Sequence, residues 1–118
     1  LLLVKQSTID NDPEAVRQLV QGAARAGLWA RENPREAARI AALYWNQPRN
    51  LVEYALTTPA NRIVYDRYVP EPLEIQQIAD LMQRFGMTPT PDINGLVESR
   101  FARGCNLAGL DGVDSILR

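Results

Sequence analysis

Proline constrains this chain more than any other residue. Pro13, Pro34 and Pro72 each open a segment whose apolar residues recur at spacings of three and four. Proline suits the first helical position, where its missing N–H costs nothing and its fixed torsion is already helical. The residue before a proline avoids helical torsions, so the same position also ends whatever came before. The pattern predicts helices that stop and restart at short corners. It makes the 118-residue chain mostly α, with five or six helices.

Each proline has a capping residue in front of it. Asp12 precedes Pro13, and Glu14 follows in the first turn, where the helix dipole favours an anion. That helix is expected to run to about residue 31 with Val16, Leu19, Val20, Ala23, Ala26, Gly27 and Ala30 on its inner face. Such small residues allow a neighbour to approach closely, which would offset the cost of Gly22 and Gly27, about 1 kcal/mol each in a helix interior. Asn33, with Glu36 three residues later, reads as a capping box for the next helix. The stretch "RENPREAARIAALYW" is then the corner of an αα-hairpin, with Ala37, Ile40, Ala41 and Tyr44 turned inward.

A third, short helix is expected in "NQPRNLVEYAL", with Leu51, Val52, Ala55 and Leu56 inward. "TTPANRIVYDRYVPEP" reads as a proline-bounded connector. Glu71 and Pro72 start a further helix whose buried stripe is Ile75, Ile78, Ala79, Met82 and Phe85, and Gly86 ends it in the left-handed conformation. A last helix over "DINGLVESRFA" is capped by Asp92, with Leu96, Val97 and Phe101 inward. The opening "LLLVKQ" predicts one short N-terminal strand. Residues 104–118 read as a Gly-rich tail behind a helical unit spanning 1–103.

The residue inventory narrows the chemistry. The chain has no histidine, one cysteine and one lysine (Lys5). Cys105 therefore has no histidine to activate it and no second thiol for a disulfide. General acid–base work would fall to carboxylates, Lys5, tyrosines or Cys105. No titratable pair in a recognisable motif emerges, so no catalytic residue is assigned and no enzyme is expected. Asp111 and Asp114 lack the ligand density of a calcium loop, and neither a metal nor a cofactor is expected. Thirteen basic side chains against 14 acidic ones give a net charge of −1. That balance offers no basic face for nucleic acid. Arg62 and Arg67, beside Asp66, Glu71 and Glu74, are the candidates for holding an anionic ligand, because guanidinium matches carboxylate and oxyanion geometry. A solvated charged face is the plainer reading of that cluster. Trp29, Tyr44 and Trp45 are expected to pack between helices.

Three phrases in order carry a resemblance. "TIDNDPEAVRQLVQGAARAGLWARENPREAARIAA", "YVPEPLEIQQIADLMQRFGM" and "DINGLVESRFA" together resemble the carboxy-terminal portion of the solute-binding proteins of ABC importers for nitrate, sulfonate, taurine, bicarbonate and thiamine-pyrimidine-type solutes. The resemblance covers residues 1 to 103. It implies the helical C-terminal portion of a type II periplasmic-binding α/β fold, whose parent captures a small solute by lobe closure and presents it to an ABC permease. It also implies a periplasmic or extracellular location, with any membrane anchor on the parent's N-terminal portion. No solute-contacting motif of that family maps onto a position here. A chain that opens within an apolar run is expected to be part of something longer. Its unpaired strand and apolar helix faces would make it a homo-oligomer by itself. A helical protein-interaction module without catalytic activity is the alternative expectation.

Overall fold

The computed structural model describes residues 2–65 and 67–108. Among these residues the chain forms six helices and no strand. They are α1 (Gln6–Asn11), α2 (Pro13–Glu32), α3 (Pro34–Trp45), α4 (Arg49–Thr57), α5 (Pro72–Arg84) and α6 (Arg100–Arg103). The mostly α character follows from the proline-led helix starts, each of which lies where its proline stands. The chain divides into two compact units. One is Leu1–Gln21 with Tyr68–Asn106, the other Gly22–Arg67 with Leu107–Arg118.

The expected N-terminal strand does not form. Leu2–Val4 have no regular structure, Lys5 is extended, and α1 begins at Gln6. A strand needs a neighbour to receive its backbone N–H and C=O groups, and none of the described residues supplies one. The short helix that starts at Gln6 instead takes up the Lys5 carbonyl, to which the Thr8 and Ile9 N–H groups donate at 3.0 and 3.2 Å.

The Asp12–Pro13 start behaves as its chemistry demands. Asp12 Oδ1 accepts from the Ala15 N–H at 3.0 Å, which is N-cap geometry. The buried face of α2 keeps only part of the expected one. Val16 is buried as expected and Val20, Gly27 and Ala30 are half-buried, but Leu19, Ala23 and Ala26 are exposed, and Ala24 and Leu28 are buried instead. Both sets have helical spacing, so periodicity alone does not choose between them.

The two glycines of α2 differ. At Gly27 a Cβ would meet the Tyr65 carbonyl oxygen at 3.4 Å and its ring at 3.9 Å, so the connector packs on the helix there. At Gly22 a Cβ would meet nothing within 4 Å. The close packing expected to offset both glycines exists only at Gly27.

In the second unit α3 packs on α4. Their seam is Ala38, Ala42 and Val52, flanked by Ala41 and Leu56. The hairpin is thus α3 with α4, one element later than the sequence suggests, and α2 does not pack on α3. Asn33 explains part of this. Its side-chain amide donates backwards to the Trp29 carbonyl at 3.0 Å and makes no cap bond to α3, so no capping box forms. Glu36 turns instead to Arg39. Tyr44, expected inward, is 86% exposed, and Trp45 is also exposed.

In the first unit α5 ends as predicted. Gly86 has φ +68, its N–H donates to Gln83 O at 2.9 Å, and the Met87 N–H donates to Met82 O at 2.8 Å. This is a Schellman closure. The expected buried stripe of α5 is largely uncovered: Ile75 and Ala79 are half-buried, but Ile78, Met82 and Phe85 are exposed. The helix expected over 92–102 is reduced to α6. Asp92 Oδ1 accepts from the Asn94 N–H at 2.9 Å and Gly95 sits at φ +74, so a turn replaces the first half. Leu96 is exposed in consequence.

These glycine environments predict opposite outcomes for one substitution. Gly22→Ala adds a methyl group in open space within a helix and should raise stability by about 0.5–1 kcal/mol. Gly86→Ala also meets open space, but a left-handed torsion costs an L-residue about 1 kcal/mol or more. Urea unfolding followed by helical circular dichroism measures both, and a stability gain at Gly86 would contradict the cap geometry.

Candidate functional site

An open concavity lies in the second unit, at the turn between α3 and α4. Its volume is about 550 Å³ and it is lined by Arg39, Ala42, Leu43, Asn46, Gln47, Pro48 and Arg49. The turn forms because Asn46 takes a left-handed conformation, φ 50 and ψ 47, which asparagine tolerates better than most residues. Its N–H and that of Gln47 close the end of α3 on the Ala42 carbonyl. Pro48 then starts α4, and its carbonyl receives the Leu51 and Val52 N–H groups at 3.1 Å each.

The lining of this hollow combines apolar side chains (Ala42, Leu43, Pro48) with two exposed arginines, Arg39 and Arg49. Arg39 Nε donates to Glu36 Oε1 at 2.7 Å. This hydrogen bond, with Arg49 nearby, holds the Glu36 carboxyl below the ordinary range. Arg35 reaches Glu53 across the hairpin at 3.3 Å. The lining contains no nucleophile and no group that titrates near neutral pH. It suits binding through apolar area and guanidinium groups, without proton transfer.

Beside the hollow lie exposed large side chains. Leu43 and Tyr44 are 76% and 86% exposed, and Trp45, Leu51 and Tyr54 each show more than half of their surface. Aromatic residues with arginine are the composition of interface anchors. The expectation that Tyr44 and Trp45 pack between helices is therefore corrected. Trp29 is half-buried.

The sequence candidates lie elsewhere. Arg62 and Arg67 are exposed in the connector after α4, outside the hollow's lining. Asp66, Asp111 and Asp114 fall outside the described residues. Cys105 is half-buried just past α6, donates to the Phe101 carbonyl at 3.4 Å, and has its thiol pKa pushed up by burial. Such a thiol is poorly nucleophilic. Among the described residues, no three carboxylate or thiol groups gather to hold a metal ion, and no helix is long and apolar enough to cross a membrane. Sequence reading missed Arg39 and Arg49. The signal was the "NQP" turn, which brings the end of one helix and the start of the next together.

Comparison with protein families, curated proteins and solved structures finds no match to this chain.

Ion pairing on α2 gives a pH prediction. Arg17 grips Glu14 with two guanidinium nitrogens, one at 2.7 Å, and Gln18 donates to the same carboxylate at 3.0 Å. The Arg17 bond, then the Gln18 bond, lower the Glu14 pKa from 4.5 to about 2. A depressed acid stabilises the fold above its unfolded pKa, and that stabilisation is lost as pH falls through the folded value. The small contribution of this exposed pair to α2 should therefore fade between pH 4.5 and about 2, as a slight loss of helicity. Glu14→Gln should flatten that part of an ellipticity titration, and an unchanged titration would remove Glu14 as its cause.

Proposed function

We propose that this chain is a helical bracing element of a larger binding protein, the C-terminal portion of a periplasmic solute-binding protein of an ABC importer. The three ordered phrases named above support the parent. The bracing role is supported by one structural observation: large apolar side chains are exposed on α3 and α4, while the α3–α4 seam is closed by alanine and valine. A helix pair built this way keeps its larger side chains for another surface. In this reading the parent's lobes hold a small solute, and closure around it is recognised by the permease. The aromatic edge of Tyr44 and Trp45 braces a lobe or meets the permease. Bonds are neither made nor broken.

The second reading is a helical interaction module. The Arg39–Arg49 hollow beside Tyr44 and Trp45 favours it, since that composition anchors protein partners. Ala38 and Ala42 of α3 already pack against Val52 of α4.

A thermal-shift screen separates the two. With nitrate, taurine, bicarbonate and pyrimidines, the 118-residue chain alone should not shift. The full-length parent should gain about 2.7 kcal/mol at a ligand concentration 100 times Kd. Saturable binding of a solute by this chain alone would overturn the bracing role. A parent reading frame that starts immediately before Leu1 would overturn the transport reading in favour of the module.

A further inference from the structure

We draw no further inference here: the strongest candidate, the open hollow at the turn between α3 and α4, carries nothing because Glu36 bonds to Arg39 and feels the charge of Arg49, so charge selects no occupant, and nothing in the structure shows what covers its apolar lining.

Discussion

The close approach of α3 to α4 at Ala38 organises the second unit. Ala38 has no exposed surface, and Ala42 and Val52 complete the seam. Small side chains permit close packing, but each removes little apolar area from water, at about 25 cal/mol per Å². Arg35–Glu53 crosses the same seam with Arg35 largely exposed, so solvent screens the pair and it adds little. The hairpin is therefore held by fit more than by quantity of buried surface. Its larger residues, Leu43, Tyr44, Trp45 and Tyr54, have no place in so narrow a seam and lie outside it.

That division of labour shapes what the chain can do. A turn closed by left-handed Asn46 and restarted by Pro48 brings two arginines into the lining of one hollow. The lining has charge and apolar area but no group that titrates near neutral pH. The α5 stripe of Ile78, Leu81 and Phe85 repeats the theme in the first unit, with apolar area on one side and loop-anchoring glutamines on the other.

Local rules were legible where local forces decide. Asp12 caps α2 through its own side chain, and Gly86 takes the left-handed position that ends α5. They were misleading where a residue had two possible partners. Asn33 had the spacing of a cap but bonded to the end of the preceding helix. "DINGLVESRFA" had helical spacing, but Asp92 and Gly95 closed a turn first. The arginines in the connector were legible as charges, but they lie outside the candidate site. Arg39 and Arg49 were not legible as a pair, since only the folded turn brings their helix ends together.

The sequence by itself determined helices α2 to α5, the proline-led starts among them and the absence of any histidine chemistry. These depend on residue identity and on torsions a few positions apart. Tertiary structure alone decided which face of each helix is covered. Ala24 and Leu28 rather than Leu19, Ala23 and Ala26 are buried on α2 beside Val16, and most of α5's apolar residues are left in solvent. Periodicity specifies that an apolar stripe exists. Only the position of a neighbouring element, set by long-range packing, determines whether water is removed from it.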